Sequence, residues 1–187
     1  MLVKNRMSTP VITVGPDVPI MDALNTMKIN KIRRMPVVDD KDALLGIISD
    51  KDLLNAGPSD ATSLSVWEIN YLVAKITVKK VMTKKVLAVR EDTPIEEAAR
   101  IMVDNKVGGL PVMDGKKIVG MITESDLFKI LLVLMGARER GVRVTAFVPD
   151  VLGELGKITH AIAAAGGSFI SFGQFNGDDE DHRGGHV

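Results

Sequence analysis

The chain has no cysteine, which excludes a disulfide framework, a thiol nucleophile and a thiolate metal site. Aromatic residues make up only 4%, few for a surface that stacks on bases or sugars. No sign of charge prevails: 24 Lys and Arg oppose 24 Asp and Glu, so there is no global field to hold nucleic acid or an anionic membrane. The longest apolar stretch, Leu127–Met135, is nine residues interrupted by Lys129, against the roughly 20 needed to span a bilayer. The N-terminus has no signal-peptide pattern, and the expectation is a cytoplasmic protein with no membrane or nucleic-acid partner. The three histidines are scattered. No Ser-His-Asp arrangement and no Gly-x-x-x-x-Gly-Lys phosphate loop stands out, so an enzyme is not expected and catalytic and metal-ligating residues are assigned as none.

What is present is an internal repeat within 187 residues that are 45% hydrophobic and 26% charged, the mix of a globular protein. Residues 3 to 41 match 78 to 116 at 16 of 39 positions, and after a one-residue deletion residues 45–53 match 119–127 at four of nine. Each copy opens with a short β-branched run, Val11–Val14 or Val86–Val89, read as a strand. A helix follows, with Asp17 or Asp92 placed to cap it and Pro19 or Pro94 in its first turn. Ile20, Ala23, Leu24 and Met27 recur as Ile95, Ala98, Ala99 and Met102, the spacing of one helical face. A strand at Met35–Val38 or Leu110–Met113, a polar turn, a strand at Leu45–Ile48 or Val119–Ile122 and a last helix complete the unit. The predicted fold class is α+β, with strand-helix-strand-strand-helix repeats.

In each copy the last strand ends in Ser49 or Thr123, three residues before Asp52 or Asp126. The hydroxyl and the first free helix amides would form a local anion site, and the carboxylate could accept hydrogen bonds from two ribose hydroxyls. The same Ser-x-x-Asp and Thr-x-x-Asp spacing also describes a capping box with a purely structural role.

The order Met-Ser/Thr, Val-x-x-Val, Pro-Ile-x-x-Ala, Asn-Lys, Pro-Val, Asp, Gly-x-Ile-Ser/Thr-x-x-Asp-Leu, carried in register by both copies, resembles a CBS domain pair (a Bateman module) over residues 3 to about 135. The resemblance implies an adenosine-containing ligand, AMP, ADP, ATP or S-adenosylmethionine, in the cleft between the copies. Carried over, one site combines Ser49 and Asp52 with Thr83, Val107, Gly108 and Leu110. The other combines Thr123 and Asp126 with Ser8, Ile32, Arg33 and Met35. Lys31, Arg33 and Arg34 precede Met35-Pro36 where the second copy has Gly108-Gly109, so the sites are expected to have unequal affinities. A solvated strand edge accounts equally well for the arginines. The resemblance also implies a homodimer.

Residues 57–77 read as a helical connector in which Trp67 and Tyr71 pack rather than stack on ligand. After a linker at 137–141, a strand at Val142–Val148, a helix carrying Leu155, Ile158, Ile162 and Ala165 on one face, and a strand at Ser168–Phe175 are predicted. Asp150, Gly153 and Leu155 match the Asp-x-x-Gly-x-Leu turn of ACT domains. The segment 142–176 thus resembles a truncated, ferredoxin-like ACT unit with a candidate amino-acid effector loop; an ordinary turn relaxed by Gly153 is the alternative. Residues 177–187 read as a disordered acidic tail. The expected division is therefore 1–56, first CBS domain; 57–77, connector; 78–136, second CBS domain; 137–141, linker; 142–176, ACT-like segment; 177–187, tail. This order resembles acetoin-utilisation-type CBS-ACT regulatory proteins. It implies a nucleotide sensor acting on a partner enzyme, the alternative being an assembly adaptor with empty clefts.

Overall fold

The structure is a computed structural model that describes residues 1–56 and 73–174. It forms two compact units, Met1–Leu127 and Phe128–Val187. Trp67, Tyr71, Phe175 and the acidic tail lie outside the described residues.

The first unit contains both repeats. Helix α1 (Ile20–Ile29) is followed by strands β1 (Arg34–Val38) and β2 (Leu44–Ser49) and helix α2 (Asp50–Asn55). After the short helix α3 (Val78–Val81), the second repeat supplies β3 (Val89–Arg90), α4 (Ile95–Asp104), β4 (Gly109–Asp114), β5 (Lys117–Thr123) and α5 (Glu124–Leu134), which runs on into the second unit. The hairpins share one register: Met35 faces Ile48 as Leu110 faces Ile122, and both slip at the same place, after Val37 and after Val112. Ile20, Ala23, Leu24 and Met27 are all buried, because a spacing of three and four places them on one stripe of α1. The opening strands are shorter than the sequence suggests. Of Val11–Val14 only Val14 pairs, with Val37, and β3 has two residues parallel to β4.

The repeats exchange their leading segments. Val3 is wholly buried with Val89, Met102 and Leu110 of the second repeat, whereas Val78 is buried with Ile20, Met35 and Ile48 of the first. Burial of each valine contributes about 1.5–3 kcal/mol. The crossing also explains why Asp17 and Asp92 do not cap the helices. Pro19 and Pro94 are the N-cap residues, with no side-chain cap. The first helical amides, of Ile20 and Ile95, donate to the carbonyls of Ile76 and Met1, each at 3.0 Å, so a crossing segment satisfies what an aspartate would have satisfied. Asp92 pairs instead with Arg90 at 3.0 Å.

The second unit departs most from expectation. Residues 142–148 are exposed coil, and 168–174 form no strand. A lone extended segment leaves its backbone groups without a ladder, and neither segment has the other as a partner. The helix is present as α6 (Glu154–Ala164), opened by Gly153 in the left-handed region at φ 92°, but none of its residues is buried. The hydroxyl of Ser171 donates to the Leu134 carbonyl, and the Phe169 and Phe172 rings meet edge to face with centroids 6.4 Å apart.

Candidate functional site

Each crossing segment ends on the hairpin of the other repeat. Ser8 and Met121 exchange amide-to-carbonyl hydrogen bonds of 2.8 and 3.1 Å; Thr83 and Ile47 exchange two of 2.9 Å. The close approach requires glycine beneath. A Cβ at Gly46 would lie 2.7 Å from Sδ of Met82 and 2.9 Å from the Thr83 carbonyl, and a Cβ at Gly120 would collide with Met7. Each leading methionine thus lies over the glycine of the other repeat's final strand. That pairing carries Thr83 to the end of β2 and Ser8 to the end of β5.

At the end of β2 a cavity of about 300 Å³ opens, lined by Ser49, Asp52, Thr83, Val107, Gly108 and Leu110 together with Arg34, Lys85, Lys106 and Leu87. All six residues assigned from the sequence to the first site therefore face one space between the repeats. Arg34, Lys85 and Lys106 were not among them. Arg34 belongs to β1 of the first repeat, yet its guanidinium lies over Gly108, where a Cβ would collide with it and would sit 2.6 Å from Oε2 of Glu124. The signal for this contact was the absence of side chains at Gly108-Gly109, which leaves room for an arginine from the facing strand.

Asp52 turns back on its own helix start. Its Oδ2 accepts hydrogen bonds from the Ser49 amide at 2.8 Å and the Ser49 hydroxyl at 2.7 Å, while the Asp52 amide donates to Ser49 Oγ at 3.2 Å. The capping box is therefore present. Oδ1 accepts no hydrogen bond among the described residues and remains able to accept from a ligand hydroxyl. The amides of α2 are not free to hold an anion, which corrects the sequence reading. The Asp50 amide donates to the Arg33 carbonyl at 3.0 Å, that of Lys51 to Asp50 Oδ1 at 2.9 Å, and that of Asp52 to Ser49.

The second set of residues is less gathered. Thr123 and Asp126 repeat the local arrangement, with Oδ2 accepting from the Thr123 amide at 3.1 Å and its hydroxyl at 2.7 Å, and Asp126 is buried. Ser8 is joined to the same strand through Met121. Met35 is wholly buried in the first core. Ile32 and Arg33 line a different cavity, about 380 Å³ between α1 and α2, with Leu24, Met27, Asp50 and Leu54. In the second unit Asp150 precedes an exposed turn that holds Gly153, and Leu155 lies exposed in the first turn of α6. No strand pairs beside that turn among the described residues, so the structure supplies no sheet edge to form an amino-acid site there. No group of three or more potential metal ligands is present among the described residues, and no helix there is long and apolar enough to cross a membrane.

Comparison with known proteins places this geometry in context. The family model described as "CBS domain" matches residues 3–59 and 78–133. A crystal structure of the CBS domain pair of protein MJ0100, in complex with 5′-methylthioadenosine and S-adenosyl-L-methionine, is similar with TM-score 0.60 and 28% identity, covering 74% of this chain and 98% of that one. A Vibrio cholerae protein assigned provisionally to acetoin utilization (AcuB) has TM-score 0.61 and 30% identity, with coverage of 76% and 98%. CBSX2 in complex with AMP has TM-score 0.59 and 30% identity, with coverage of 70% and 96%.

Proposed function

The chain belongs to the CBS domain family, and on that premise we propose that it is a non-catalytic regulatory protein that binds an adenosine-containing ligand in the cleft between its repeats. The observation that carries the proposal is the meeting of Ser49, Asp52, Thr83, Val107, Gly108 and Leu110 around one cavity of about 300 Å³, near the lower bound of ordinary ligand sites. Asp52 Oδ1 accepts from the ribose hydroxyls. Val107 and Leu110 offer apolar surface to the base, beside the backbone of Gly108. Support for the ligand class comes from the similar MJ0100 domain pair, which holds methylthioadenosine and S-adenosylmethionine, and from CBSX2, which holds AMP.

Because the cavity is built from both repeats, a ligand that fills it ties them together and favours the arrangement in which they close on it. Regulation then consists of a ligand-dependent change in the surface offered to a second copy of the chain or to a partner enzyme, and requires different ligand affinity in the two states. A homodimer is part of this reading, as is a cytoplasmic setting. A link to acetoin or related carbon metabolism is the finest part of the proposal, and it is prompted only by the likeness to the Vibrio cholerae protein.

The test is calorimetric titration with AMP, ATP, S-adenosylmethionine, 5′-methylthioadenosine and NAD, on the wild type and on Asp52→Asn and Asp126→Asn. Saturable heat with at least one adenosyl compound, weakened about tenfold or more by Asp52→Asn, is expected. Silence across the panel would overturn this reading and favour the assembly adaptor.

A further inference from the structure

The first cleft carries three cations, Arg34, Lys85 and Lys106, against a single lining carboxylate, Asp52. None of the three pairs with a carboxylate among the described residues, although Glu124 approaches Gly108 beside Arg34. Three like charges around one cavity repel one another, and an anion placed among them relieves that repulsion. Lys106 stands just past the end of α4 with φ 54°, as Lys31 stands past α1 with φ 53°, the left-handed residue that ends many helices, and only Lys106 of the two lines this cavity. With the α2 amides already taken, these three cations are the positively charged groups lining the cavity that can meet phosphate.

The repeat offset of 75 turns the comparison into a contrast between clefts. The counterparts of Arg34, Lys85 and Lys106 are Gly109, Pro10 and Lys31, so two of the three charges have no equivalent. We infer that the cleft of Ser49 and Asp52 selects its ligand by phosphate charge, taking a nucleoside di- or triphosphate ahead of a neutral or cationic adenosyl compound, with Arg34, Lys85 and Lys106 as the anion-binding groups. This rests on the reading of the cleft as an adenosine site and adds which member of that class it prefers.

The experiment is titration of the full chain with ATP, AMP, 5′-methylthioadenosine, S-adenosylmethionine and inorganic tripolyphosphate, at about 0.1 M and about 1 M salt, between which the Debye length falls from roughly 10 Å to roughly 3 Å. Affinity is expected to fall from ATP through AMP to methylthioadenosine and S-adenosylmethionine. High salt should weaken ATP about tenfold or more and leave methylthioadenosine unchanged. Arg34→Ala and Lys106→Ala should each weaken ATP about tenfold with less than about twofold effect on methylthioadenosine. Lys28→Ala, in the α1–α2 groove, should leave ATP unaffected, and thermal melts check that each variant is folded. Lys106→Gly should weaken ATP while raising the melting temperature. Methylthioadenosine binding as tightly as ATP, or an equal loss in Lys28→Ala, overturns charge selection and leaves the adenosine reading intact. Tripolyphosphate binding as tightly as ATP keeps charge selection and removes the adenosine reading. Silence with every probe overturns both.

Discussion

The two repeats are alike where they pack and unlike where they face the clefts. Met35 and Ile48 in one, and Leu110 and Ile122 in the other, are cross-strand neighbours buried completely. By contrast, Arg33-Arg34 stands where the second repeat has Gly108-Gly109. Packing density makes a core intolerant of change, whereas the rim of a cleft is free to vary charge without loss of fold. A duplicated unit can thus keep one architecture and differ in charge at equivalent positions, and the glycines matter as much as the arginines because they make the room that Arg34 enters.

Core substitutions test the likeness most severely. Ile48→Ala and Ile122→Ala are expected to cost about 2–5 kcal/mol each in denaturant unfolding, and losses differing by more than that range would show that the cores are not equivalent. The exchange of segments is tested by Val3→Ala, expected to cost about 2 kcal/mol. Hydrogen exchange should show the β4–β5 amides losing protection before those of β1–β2; the reverse order would disprove the crossing.

Loss of the capping box comes next. Asp52→Ala and Asp126→Ala should each lower stability by about 0.5–2 kcal/mol, but only the first should abolish ligand binding in the Arg34 cleft. Lys31→Gly and Lys106→Gly relieve left-handed backbone at equivalent positions, φ 53° and 54°, and should each stabilise by up to about 1 kcal/mol. They divide in function, since only Lys106→Gly weakens ATP.

The smallest effect concerns the turn between β1 and β2. Asp39 Oδ1 accepts from the amides of Ala43 at 2.8 Å and Lys41 at 2.9 Å, and these bonds, Ala43 first, hold its carboxyl below the ordinary aspartate value. A depressed folded value contributes stability that is complete above the unfolded value of about 3.9 and is lost as pH falls through the folded one. Asp39→Asn should therefore flatten the acid limb of the melting profile slightly. An unchanged acid limb would show that the turn contributes nothing there.

Much of this molecule is legible from residue spacing. The stripe from Ile20 to Met27 and the Ser49–Asp52 pair are relations between residues three and four apart, which helix geometry fixes before any tertiary contact forms. Tandem duplication made the first unit recognisable, and the six site residues that line the cavity were assigned by carrying the family resemblance onto matching positions. The α2 amides were misread as free because their partners, the Arg33 carbonyl and the Asp50 and Ser49 side-chain oxygens, depend on how chain segments meet and which rotamers the side chains adopt. Strands were predicted at 142–148 and, from alternation, at 168–175, yet an extended segment makes a strand only when another strand accepts its hydrogen bonds.

By itself, then, the sequence determined the two-copy architecture, the helical faces and the pairing of hydroxyl with carboxylate at each helix start, because these rest on periodicity and on contacts within one turn. Tertiary structure alone decided that Val3 completes the second core and Val78 the first, that Met7 and Met82 cross over Gly120 and Gly46, and that Arg34 reaches Gly108. Those contacts join residues dozens of positions apart, and their free energy comes from surfaces that exist only once both hairpins have formed.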